Sequence, residues 1–191
     1  AGARMVTFSS DLVFGGDRDH PYEEGDAPQP LSVYGKSKHR AEQEVLDQFP
    51  EALVVRTGPF FGPWDAYNFL HQAITTLARG EAFVAAADTT VSPTYVPDLA
   101  HACLDLLVDQ ESGIWHIANA GGITWADLAL EIAQQSGLDP RLVVRSPMGA
   151  LGYSAPRPLF SALRSSRGRL LSPLDDALRR FIQDRKLGTD Q

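Results

Sequence analysis

Apolar and polar positions along the chain switch repeatedly between a strand-like and a helix-like period. The run "RMVTFSS" (residues 4–10) is short, apolar and β-branched and ends in small polar residues. That pattern predicts a buried parallel strand whose C-terminal end opens at a ligand site. The next twenty residues, "DLVFGGDRDHPYEEGDAPQP", are crowded with Gly, Pro and Asp and predict a loop. From Ser32 to about Gln48 the pattern becomes helical, with Tyr34, Lys38, Ala41, Val45 and Phe49 on one stripe and Lys36, Arg40, Gln43 and Asp47 opposite. "PEALVVRTGPFFGP" then predicts a second buried strand stopped by Gly and Pro. A strand, helix, strand unit of this kind forms a right-handed parallel crossover.

The helical period returns in "NFLHQAITTLARG", with Phe69, Leu70, Ala73, Ile74 and Leu77 apolar and Gly80 closing the helix. It recurs in "VPDLAHACLDLLVD", where Pro97 and Asp98 are first-turn residues and Leu99, Cys103, Leu106 and Leu107 make the stripe. "GIWHIANA" reads as a third strand, with His116 a satisfied core histidine inside it. "TWADLALEIAQQSG" has Thr124 as N-cap and ends at Gly137. The last helix, "SPLDDALRRFIQDRKLG", is expected to be capped by Ser172, with Asp175 and Asp176 at its start and Arg185 and Lys186 at its end. The stretch 141–168 is looser and rich in Arg, Pro and Ser. Strands alternating with helices imply an α/β layer fold.

Composition narrows the function classes. With 191 residues, 43% hydrophobic and 21% charged, the chain can bury a full core. A net charge of −7 argues against a nucleic-acid partner while leaving room for a small anion held by local Arg and Lys. One cysteine, Cys103, excludes an internal disulfide framework, and the five histidines lack zinc-ligand spacing. The expected setting is reducing and cytoplasmic. No apolar run is long enough to span a bilayer, so no membrane partner is expected.

Candidate chemistry centres on Tyr34 and Lys38, one turn apart at a helix start that follows a strand ending in Ser9, Ser10 and Asp11. A free phenol ionises near pH ~10 and is a slow acid at neutral pH unless a cation stabilises its phenolate. Lys38 is placed to be that cation. Together with "RTGPFFGP", these residues resemble the extended short-chain dehydrogenase/reductase family and its Ser/Thr, Tyr, Lys triad. The words "SSDLVFGG", "PYEEGDAPQPLSVYGKSKHRAEQ", "LVVRTGPFFGP", "SPTYVPDLA", "GIWHIANAGGITWADLALEI" and "APRPLFSAL" occur in order over nearly the whole chain. Within the family they look like the dTDP-4-dehydrorhamnose reductase subgroup.

That resemblance implies a Rossmann-type parallel sheet with a small C-terminal substrate-binding lobe. Residues 1–66 and 96–120 would supply later Rossmann strands and helices, and 67–95 and 121–191 mostly the lobe. It implies NADPH-dependent reduction of the 4-keto group of a nucleotide-linked deoxysugar, with NAD(H) as the alternative cofactor and a homodimer left open. Ser10, Tyr34 and Lys38 would be catalytic, with Ser9 the competitor for the serine role. Tyr34, Lys38 and Gly58 would lie at the cofactor, and Ser10, Asp11 and Arg157 at the substrate.

The chain departs from the subgroup at Leu12, where a tyrosine is usual, and at Pro59, where a tryptophan is usual. The family's G-x-x-G-x-x-G phosphate loop has no counterpart. "GPFFGP" follows a late strand, and its prolines remove N–H donors that a pyrophosphate needs. The first half of the nucleotide domain is therefore expected upstream of Ala1. A sugar-nucleotide epimerase or dehydratase on the same scaffold, and a non-catalytic regulatory member, are the rival readings.

Overall fold

The computed structural model describes residues 3–188. In chain order the elements are β1 (Val6–Phe8), α1 (Val33–Gln48), β2 (Leu53–Arg56), β3 (Phe60–Phe61), α2 (Phe69–Ala78), β4 (Phe83–Ala86), β5 (Thr90–Val91), β6 (Thr94–Tyr95) and α3 (Val96–Val108). They continue with β7 (Gly113–His116), β8 (Ile123–Thr124), α4 (Trp125–Gln135), β9 (Val143–Ser146) and α5 (Leu174–Gly188).

β2 is buried on both faces, as its unbroken apolar run requires, and is the middle strand of a parallel sheet ordered β1-β2-β7. Val6 lies opposite Leu53, and Arg56 opposite His116. Side chains alternate across a strand, so Leu53 and Val55 face one way and Val54 and Arg56 the other. Leu53, Val55, Trp115 and Ile117 pack with Leu99, Ala102, Cys103 and Leu106 of α3. Arg56 meets Glu42 of α1, which sets α1 on the opposite face. Helices on both faces of a parallel sheet make the α/β layering expected.

The outer edge of β7 is closed by side chains. Arg167 Nη1 donates to the carbonyls of Ser112 (2.8 Å) and Ile114 (3.1 Å). The Glu24 carboxylate accepts from the His116 backbone N–H (2.9 Å) and from Ser165 and Ser166. Glu24, in the loop after β1, thus caps this edge. β1, read from the sequence as a buried strand, is instead the opposite edge, with Phe8 44% exposed.

A second packing region forms where β4 and β9 pair in parallel from Phe83↔Val143 to Ala86↔Ser146 beneath α2 and α4. Leu70, Ile74, Leu128 and Ile132 of those helices meet Leu178 and Phe181 of α5. β9 lies in the stretch that looked loose, because its consecutive residues Val144 and Arg145 are both exposed and mask the strand period. The segment expected as one strand after α1 is split by Gly58 and Pro59 into β2 and β3. Thr124 caps α4 as expected, accepting from Asp127 N–H at 3.1 Å. Ser172 instead hydrogen bonds Asp98 of α3 (3.2 Å), and Arg180 grips the same carboxylate through both nitrogens at 2.5 Å.

The stripe expected to seat α1 is overturned. Tyr34 is 50% and Phe49 54% exposed, and Ala41 is exposed too, while the buried helix residues are Gly35 and Glu42. α1 approaches through a bare backbone and a neutralised carboxylate rather than an apolar face. A Cβ on Gly35 would lie 2.1 Å from the Leu12 carbonyl oxygen, so only glycine permits this approach.

Candidate active site

A cavity of about 300 Å³ opens at the C-terminal ends of β1 and β2, where parallel α/β sheets hold ligands. Its wall includes Ser9, Ser10 and Asp11 after β1, Tyr34 of α1, Thr57 and Gly58 after β2, Trp125 of α4, and Arg157 and Ser161 from the segment between β9 and α5. Ser10, Asp11, Tyr34, Gly58 and Arg157, singled out from the sequence, therefore share one cavity. Lys38 stands beside it.

Ser10 is extended (φ −148°, ψ 155°), and its hydroxyl accepts from Leu12 N–H at 3.1 Å, starting a single 3₁₀ turn over Asp11–Val13. Its own proton is directed at Asp11 Oδ1, 3.0 Å away. Asp11 Oδ2 accepts from Ser161 Oγ at 2.7 Å. Burial raises the Asp11 carboxyl to about 6, and the hydrogen bonds from Ser161 and Ser10 offset only part of that rise.

Ser9 is occupied elsewhere, since its hydroxyl donates to Glu42 Oε1. Glu42 is also held by Arg56, Nε to Oε1 and Nη2 to Oε2, both at 2.8 Å. The pair is almost fully buried, at 3% and 2% exposure. Burial opposes the Glu42 charge, but the Arg56 hydrogen bonds and charge prevail and hold its carboxyl below the ordinary range.

Tyr34 lies in the first turn of α1, which Ser32 caps by accepting from Gly35 N–H at 3.1 Å. Lys38 does not point into an apolar core. Its ammonium donates to the Phe8 carbonyl at 3.0 Å and lies 5.8 Å from the centre of the Tyr34 ring. Gly58 has a packing reason of its own, because a Cβ there would lie 1.9 Å from the Ser92 carbonyl oxygen. Arg157 stacks over Tyr153 (4.6 Å) and also lines a second cavity of about 240 Å³. Trp125 and Met148 are common to both cavities, and Tyr67, Phe69 and Tyr153 help line the second.

Three residues here escaped the sequence reading. Gly35 had a signal, a glycine inside a helix start that only a close approach justifies. Glu42 had a weaker one, its place one turn beyond Lys38. Ser161 lies in the word "APRPLFSAL", but nothing there ties it to the carboxylate it serves, 150 residues away. Among the described residues no group of His, Cys, Asp or Glu could hold a metal ion, and no helix is long and apolar enough to cross a membrane.

Known proteins place this arrangement in context. The family described as RmlD substrate binding domain matches residues 1–184. A dTDP-4-dehydrorhamnose reductase of Mycolicibacterium smegmatis is 38% identical over 189 residues, covering 95% of this chain and 57% of the relative. One from Mycobacterium tuberculosis H37Rv is 38% identical over 181 residues, covering 91% and 59%. The crystal structure of dTDP-4-dehydrorhamnose reductase from Bacillus anthracis in complex with NADP superposes with a TM-score of 0.89 at 31% identity, covering 96% of this chain and 66% of that one. The chain spans 63%, 67% and 54% of the first three curated relatives it matches. With a match over residues 1–184 and a parallel α/β fold of the same shape, the chain belongs to the RmlD substrate binding domain family.

Proposed function

We propose that the protein containing this chain reduces the 4-keto group of a nucleotide-linked deoxysugar with NADPH, as dTDP-rhamnose biosynthesis requires. The observation that carries this reading is the convergence of Ser10, Asp11 and Tyr34 on one cavity with Lys38 against the Tyr34 ring. The site's donors fit a nicotinamide cofactor: the Lys38 ammonium spends one hydrogen on the Phe8 carbonyl and keeps two for a ribose diol. Tyr34, Lys38 and the backbone at Gly58 are the groups that would hold it. When bound, NADPH supplies the hydride.

Tyr34 donates its phenolic proton to the oxygen of the forming alcohol, and Lys38 stabilises the phenolate left behind. Ser10 turns its hydroxyl from Asp11 to the ketone oxygen and orients it. Asp11 accepts a sugar hydroxyl, in the dry setting that Ser161 and the cavity wall provide. Arg157, common to both cavities, faces the diphosphate, with the sugar in the larger cavity and the base among the aromatic residues of the second. The test is an assay of the full-length protein on dTDP-4-keto sugars with NADPH and with NADH. NADPH-dependent formation of the 4-hydroxy sugar is expected, and absence of turnover with every such substrate overturns the reading.

A further inference from the structure

We propose that Glu42 and Arg56, which do not reach the cavity, are positioning residues that hold Ser9, and through it the Ser10–Asp11 turn, in register with Tyr34 and Lys38. The inference rests on the reductase reading for its kinetic arm. Three turns of α1 grip the strand–turn segment in succession: Gly35 against the Leu12 carbonyl, Lys38 on the Phe8 carbonyl, and Glu42 on the Ser9 hydroxyl. The Lys38 contact is exposed, whereas Gly35 and Glu42 are buried. Glu42 fixes Ser9 Oγ while its two oxygens are clamped by the Arg56 fork.

Arg56 is fixed in turn. Its guanidinium lies 5.2 Å from the Phe14 ring centre, and Nη1 is 3.5 Å from His116 Nε2. His116 Nδ1 faces the carbonyls of Tyr22 (3.0 Å) and Arg164 (3.2 Å), so Nδ1 carries the proton and Nε2 accepts from Arg56. A continuous polar chain therefore runs from β7 through β2 to α1 and ends on the residue before Ser10. Both adjacent serines line the cavity, but Ser9 spends its proton on Glu42, whereas Ser10 spends its own on Asp11, the carboxylate of the cavity wall.

Removing one charge would strand the other, so the test replaces both. In the full-length protein, Glu42→Leu/Arg56→Met keeps the volume apolar and leaves Ser9 without its acceptor, whereas Glu42→Gln/Arg56→Met restores an acceptor. The Leu/Met variant is expected to fold, to lose about ten- to a hundredfold in kcat with KM for NADPH within about twofold, and to exchange the Asp11 and Leu12 amides faster. The Gln/Met variant is expected to recover most of the kcat. Wild-type kcat and exchange in the Leu/Met variant overturn the proposal. So does an equal loss in both variants with exchange raised evenly through β2 and β7, which is the signature of bulk stabilisation. If the Leu/Met variant does not fold, Glu42→Asp, which withdraws the carboxylate from Ser9 by one methylene, is read in the same way. If the wild type shows no turnover, the reductase reading falls, and exchange alone decides: acceleration confined to Asp11 and Leu12 supports positioning, and none overturns it.

Discussion

Tyr34 combines a half-exposed ring with a cation held near its face. Because so little of it is packed, Tyr34→Phe is expected to leave the melting temperature of the full-length protein unchanged while lowering kcat by about 10²–10⁴-fold, the range of general acid catalysis. Near-normal turnover would remove Tyr34 from the mechanism. Asp11 is the opposite case, a carboxyl 5% exposed whose burial raises it from 3.8 to about 6. A group raised on folding contributes stability that is fully present below its unfolded value and lost as pH climbs through its folded value. The window is therefore pH ~4 to ~6, and the burial it reports is worth about 3 kcal/mol. Asp11→Asn is expected to match the wild type in urea denaturation near pH 3.5 and to exceed it by up to about 3 kcal/mol above pH 6. Its affinity for the sugar substrate should fall. That Ser10 and Tyr34 meet at one cavity with Lys38 by the Tyr34 ring could be expected from the chain, because these residues lie at the ends of adjacent, locally recognisable elements. The state of Asp11 could not, since it depends on Ser161, brought in from the far end of the sequence.

At the scale of elements, α1 shows how a correct assignment can carry a wrong face. The helix runs Val33–Gln48 as its pattern indicates, yet Tyr34, Ala41 and Phe49 stay exposed and Gly35 and Glu42 go inward. Periodicity counts Glu as polar, but a carboxylate bound by an arginine fork can be buried, so the apolar stripe pointed the wrong way. Gly35→Ala would raise the stability of an ordinary exposed helix by about 1 kcal/mol. Here the added Cβ meets the Leu12 backbone oxygen at 2.1 Å and Pro30 Cβ at 2.9 Å. The variant is therefore expected to lose about 1–3 kcal/mol in urea denaturation, with kcat falling as the first turn of α1 shifts. A gain in stability would show that the helix does not sit this close. The strands β4, β5, β6, β8 and β9, two to four residues long, escaped the sequence, and each pairs with a partner distant in the chain.

Across the whole molecule the two ends of the central sheet differ. β7 is sealed by Arg167 and Glu24, while β1 has no strand partner on its outer side among the described residues. Those residues bring Lys38 to the Tyr34 ring, without a glycine-rich turn after a strand of the central sheet to cradle a pyrophosphate. Titration calorimetry on the 191-residue chain with NADPH is accordingly expected to show no tight binding, and a micromolar dissociation constant would contradict this. The α/β alternation and the Tyr34–Lys38 pair were determined by the sequence itself, because each is encoded within neighbouring elements, and so was family membership, through words spread in order along nearly the whole chain. Tertiary structure alone decided which face of α1 turns inward, that the Ser9 proton goes to Glu42 and the Ser10 proton to Asp11, and that Asp11 is held by Ser161. Those outcomes depend on which distant groups are brought within hydrogen-bonding range in the absence of water, and spacing along the chain does not carry that information.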